Sequence, residues 1–224
     1  MIFNNVFCLF EQSGTFKNAF KKIGHQAYDY DIVKTEHTDF VLDLFKEIND
    51  AKNEKKGTIF DLIKTDDLIV AFFPCTYFSD QSQIYSRGDS FTQKKLTLEE
   101  KLEYSEKLMD ERTIAYKTLC NLCIIAIRKN FKLIIENPNG KVGFLRQYFP
   151  IKTKMIIKDR SLYGDDYKKS TQFFFVNCEP AFNLEKTCKK NKNEIKIIEK
   201  KHTKERSEIT EAFAKIFIEN WVLE

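Results

Sequence analysis

No stretch of the 224 residues is rich in proline, glycine or serine, so nothing marks an internal linker and residues 1–224 are read as one domain. No apolar run approaches the length that spans a bilayer, and the amino terminus lacks a basic region followed by a long apolar stretch. A soluble, cytoplasmic protein without a membrane partner is expected. A disulfide framework is missing too: Cys8, Cys75, Cys120, Cys123, Cys178 and Cys188 are scattered over a chain long enough to build its own core, so reduced thiols are the default. Cys120-x-x-Cys123 is the one metal-like spacing. It lies in an apolar helical run with no second pair, and core thiols are expected there in preference to zinc. What the chain does have is aromatic bulk, 21 Phe among its residues, to fill a substantial core.

The net charge of +4 is unevenly placed. Nine Lys or Arg and three Glu lie between Lys186 and Arg206, a local +6 that leaves the remainder at −2. Such a run is either a solvated face or the footprint of a phosphate-backbone contact.

The central stretch is Asp67 to Ser79, a continuous apolar run that stops at Pro74-Cys75. It reads as a strand buried on both faces, with the cysteine at its carboxyl end, where open α/β sheets place their chemistry. On its own the dipeptide fits a buried structural thiol better than a reactive one. The rest of the chain reverses that reading. Residues 3–10 form a first buried strand, and Phe16, Ala19, Phe20 and Ile23 recur at helical spacing until Gly24. Between them, Glu11 to Thr15 holds a glycine turn of the kind that lets a cofactor approach backbone N–H groups. A second strand, Gln26 to Tyr30, ends at Asp31, where a carboxylate commonly receives ribose hydroxyls. Residues 39–50 fit either a short strand followed by a helix or one amphipathic helix. A helical pattern spans Thr58 to Ile63. Ser79 to Lys95 has the character of a mobile loop beside a site. Thr97 to Glu100 is a capping box opening a long helix, with a break invited near Asp110 to Arg112. Further strands are expected at Lys132 to Glu136, stopped by Pro138, at Thr153 to Ile157 and at Gln172 to Val176, and a closing helix at Ser207 to Val222.

If the strands ending at Cys75 and Glu136 are neighbours, a thiol and a carboxyl group meet at one rim. That pair suits addition to an electron-poor pyrimidine: the sulfur attacks carbon 6, and carbon 5 becomes nucleophilic when the developing charge is neutralised at nitrogen 3. Here the sequence resembles the cytosine-5 DNA methyltransferases, especially their short phage-type members. Phe73-Pro74-Cys75 with Phe78-Ser79 resembles the catalytic motif, Glu136-Asn137-Pro138 the Glu-Asn-Val motif, and Leu9-Phe10 through Gly14-Thr15-Phe16 the first S-adenosylmethionine motif. Tyr163-Gly164-Asp165 through Thr171 resembles the segment before the basic motif, and Arg206 to Ile209 the start of the last one. All fall in the family's order and cover nearly the whole chain.

The resemblance implies a Rossmann-like doubly wound α/β fold of the class I S-adenosylmethionine-dependent methyltransferase type. It makes Cys75 the nucleophile and Glu136 the group at nitrogen 3. S-adenosyl-L-methionine would be held by Phe10, Gly14, Thr15, Asp31, Ile32, Asp43, Pro74 and Ser207, with Asp31 at the ribose, Phe10 and Ile32 against the adenine and Asp43 near its amino group. The chain also departs from the pattern. Gln12 stands where a glycine is expected and Thr76 where a glutamine is. The family's Gln-x-Arg-x-Arg segment reads Tyr167, Lys169 and Thr171, so Lys169 is the remaining cation for the base and lacks a guanidinium's bidentate reach. In place of a target-recognition domain stands the basic run, residues 186–206, suited to phosphates without reading bases. The expected partner is nucleic acid, DNA ahead of RNA. A non-catalytic module that binds S-adenosylmethionine or nucleic acid is the alternative from another class.

Overall fold

The computed structural model describes residues 2–141, 143–181 and 209–223. The basic run and Ser207 lie outside these residues. Seven strands form one sheet: β1 (Asn5–Leu9), β2 (Gln26–Asp31), β3 (Phe40–Val41), β4 (Leu68–Phe72), β5 (Lys132–Pro138), β6 (Met155–Ile157) and β7 (Thr171–Val176), in the spatial order β3-β2-β1-β4-β5-β7-β6. Pairings from β3 through β5 are all parallel. The sequence does not disclose direction at the other edge, where β7 runs antiparallel to both β5 and β6. The result is a mixed α/β sheet compatible with a Rossmann-like fold.

Alternation along the strands divides the core. One face carries Phe7, Leu9, Ile69, Ala71, Leu133 and Ile135 against helices α2 (Leu44–Lys52) and α4 (Leu98–Lys129). The opposite face carries Val6, Cys8, Leu68, Val70, Ile134 and Phe173 against α1 (Thr15–Lys22) and α6 (Glu211–Phe217). Both faces being covered explains why β4 reads as an unbroken apolar run. Two shorter helices, α3 (Asp80–Ser86) and α5 (Phe144–Tyr148), follow β4 and β5. Among the described residues no helix is long and apolar enough to cross a membrane.

One open alternative is resolved and several expectations are corrected. Residues 39–50 take the strand-then-helix form, with the Asp43 carboxylate accepting from Lys46 N to cap α2. Thr58 to Ile63 forms only a 3-10 turn at Ile59–Asp61. Ser79 to Lys95 is not a featureless loop: Ser79 caps α3, and a 3-10 turn follows at Phe91–Lys95. The break foreseen near Asp110 is absent, and α4 runs unbroken for 32 residues from the predicted capping box. The lapse in its apolar pattern marks where the helix first meets the body, at buried Arg112. Pro138 does not stop β5 at Glu136, because the antiparallel neighbour β7 continues the pairing to Pro138↔Thr171. Cys123 packs in the core beneath α4 and Cys120 beside it, as thiols.

Candidate active site

The order of strands reverses between β1 and β4, the place where open α/β sheets leave a crevice beyond the carboxyl ends. A cavity of about 1160 Å³ opens there. It is large enough for a nucleoside-sized ligand with room beside it.

One wall is built by β4 and β5. The register pairs Phe72 with Glu136, so the residues that follow Phe72 and the Glu136 side chain share one rim. Pro74 turns the chain into the 3-10 turn Cys75–Tyr77, and Cys75, half-buried, lines the cavity with Glu136 and Lys169. Asn137 braces the turn by donating from Nδ2 to Phe73 O at 3.1 Å. Glu136 is itself buried and accepts a hydrogen bond from the Thr171 hydroxyl. Burial pushes the Cys75 thiol up, the Glu136 charge pushes it further, and Lys169 pulls it back. Burial also lowers Lys169, the Glu136 charge opposes that, and Arg160 adds to it. Thiol, carboxyl and ammonium thus share one wall of the cavity.

The other wall comes from β1, β2 and α2. Phe10 leaves β1 with φ 63°, left-handed backbone that a bulky residue adopts only under constraint, and its ring packs edge-on against Phe45 and Phe73. Ile32 is 64% exposed although it borders the cavity, an apolar surface available to a flat ligand. Asp31 ends β2; burial raises its carboxyl, and Val33 N donates to it at 2.7 Å. Thr15, Asp43 and Pro74 also border the cavity. Gly14 is not among its walls: its φ of 64° and the approach of His37, which a Cβ would meet at 2.8 Å, explain the glycine by backbone conformation.

Glu11, Phe45, Tyr77 and Ile209, to which the sequence assigns no role at the site, also line the cavity. Glu11 is the most informative of them. Its carboxylate is buried and accepts from Phe16 N at 2.6 Å and Lys17 N at 3.2 Å, satisfying the first amides of α1. In dinucleotide-binding sheets that helix terminus receives a pyrophosphate; here the protein's own anion occupies it. The legible signal was a carboxylate directly between a buried strand and a helix. Also unforeseen is the fully buried pair of Arg160 and Asp165, 2.6 Å apart, behind Lys169.

Neither a family model nor a curated protein matches the chain.

Proposed function

We propose that the protein transfers a methyl group from S-adenosyl-L-methionine to carbon 5 of cytosine in nucleic acid, DNA before RNA, through a covalent cysteine adduct in a class I methyltransferase fold. The observation that carries this reading is the meeting of Cys75, Glu136 and Lys169 on one wall of a cavity whose other wall offers Phe10, Asp31 and Ile32. Glu11 supports it by filling the helix terminus that a pyrophosphate needs, which favours a cofactor with no phosphate over a dinucleotide.

Phe10 and Ile32 would clasp the adenine, Asp31 the ribose hydroxyls, and Asp43 would lie near the amino group. When bound, S-adenosylmethionine supplies an electrophilic methyl. The chain's own residues do the rest. Cys75, as thiolate, adds to carbon 6 of the ring, and Glu136 holds a proton at nitrogen 3 while carbon 5 becomes nucleophilic. Lys169 favours the thiolate by its charge and lines the same cavity. A base within a duplex must first leave the stack, at a cost of a few kcal/mol that single strands largely avoid, so single-stranded targets belong in any substrate panel.

The test is transfer of radiolabelled methyl to DNA and RNA pools, with the modified positions mapped. Label at carbon 5 of cytosine that disappears in Cys75→Ser supports the reading. Label that persists in the variant rejects the covalent mechanism, and binding without transfer to either pool returns the non-catalytic module.

A further inference from the structure

Thr171, which no part of the proposed mechanism uses, is fully buried at the first position of β7. It pairs across the strands with Pro138, which places its side chain on the same face as Glu136, two residues along. Its hydroxyl contacts two acceptors: it donates to Glu136 Oε1, and the backbone oxygen of Asn137 lies 3.2 Å away. A hydroxyl has one proton to give, and a carboxyl oxygen that receives it is held as the acceptor.

Building on the methyl-transfer reading, we propose that Thr171 is a positioning residue that keeps Oε1 of Glu136 as acceptor and so assigns the exchangeable proton to Oε2. As the Cys75 sulfur bonds to carbon 6, the electron pair of the ring double bond is displaced and nitrogen 3 takes the proton from Oε2. Glu136 is then a carboxylate, and the Thr171 hydroxyl already donates to it. Once carbon 5 has bonded to the methyl, the methyl–sulfur bond of the sulfonium breaking and its sulfur leaving as a neutral thioether, nitrogen 3 returns the proton to Oε2. Loss of the carbon 5 proton to water reforms the double bond and expels the thiolate. Asn137 joins this arrangement to the nucleophile, since the residue whose backbone oxygen faces the Thr171 hydroxyl also donates to Phe73, two positions before Cys75.

Steady-state methyl transfer by the full chain tests this with Thr171→Val and Thr171→Ser, folding being checked by thermal melting and Thr171→Ala standing in if the valine variant is unfolded. The expected result is a kcat about 10- to 100-fold lower in T171V, the loss of one hydrogen bond to a charged group, with KM for both substrates unchanged. T171S is expected within a few-fold of the native chain. Isotope-edited infrared spectra, with E136Q as the blank, should show the Glu136 carboxyl band displaced in T171V and restored in T171S. A T171V variant as active as an active native chain, or one impaired only in KM, overturns this inference and leaves methyl transfer standing. A native chain inert on every substrate overturns both.

Discussion

Cys75 faces two charges of opposite sign, and their effects can be separated. Glu136 raises the thiol and Lys169 lowers it. Glu136→Gln is therefore expected to speed alkylation of Cys75 by iodoacetamide at pH 7.5, and Lys169→Met to slow it, each read by mass spectrometry of the Cys75 peptide against pH. Equal rates in both variants would show that the three groups are not coupled. Asp29 presents a different situation, a carboxyl without a hydrogen bond whose burial the nearby Lys17 charge offsets only in part. It is fully buried, neither oxygen has a hydrogen-bond partner among the described residues, and burial together with the Glu11 charge pushes it up to about 8. Because the folded value lies above the unfolded one, its stabilising contribution is complete below pH 4 and is lost as pH rises through 8. Asp29→Asn is expected to raise the melting temperature at pH 8, by a free energy on the order of a few kcal/mol, and to change little at pH 4. A melting curve with the same pH dependence in both proteins would contradict the assignment.

Arg112 acts on whole elements. From within α4 it donates through Nε to Tyr77 O at 2.9 Å and through a terminal nitrogen to the hydroxyls of Ser82 and Ser86, and its guanidinium lies 5.4 Å from the Phe144 ring centroid. One side chain thus ties the turn after Cys75, helix α3 and the start of α5 to the long helix. Arg112→Met keeps the packing volume and removes the donors, so hydrogen exchange is expected to accelerate across residues 77–95 while β4 and β5 remain protected. Unchanged exchange there would show that α3 is held by other contacts. This tie also explains a misreading of the sequence. Ser79 to Lys95 is polar and poor in large apolar residues, so its order depends on a buried arginine some thirty positions away, which no local pattern discloses. The capping box at Thr97 and Glu100 was legible because both partners lie within one turn.

At the scale of the whole molecule the same division holds. Strands covered on both faces announce themselves as apolar runs, and Pro74 marks the end of β4, so Cys75 could be placed at a rim from sequence alone. Glu136 joined it there through a parallel register that the run-and-stop pattern made reasonable. The reversed direction of β7 left no such trace, and with it went the meeting of Thr171 with Glu136, a contact set by register between distant strands. Glu11 differs again: its place between strand and helix is legible, but a carboxylate at a strand end reads as solvated until its amide partners are seen. These contacts bear on the proposal that a thiol and an acid at the ends of adjacent strands act together on one pyrimidine. Incubation with S-adenosylmethionine and an oligonucleotide containing 5-fluorocytosine is the decisive measurement, since fluorine at carbon 5 prevents the elimination that would release the protein. The expected result is a denaturation-resistant protein–oligonucleotide complex that maps to Cys75 and is lost in Cys75→Ser; no complex with any strand bearing 5-fluorocytosine, or one that forms equally in the serine variant, rules out joint action of Cys75 and Glu136 on the ring.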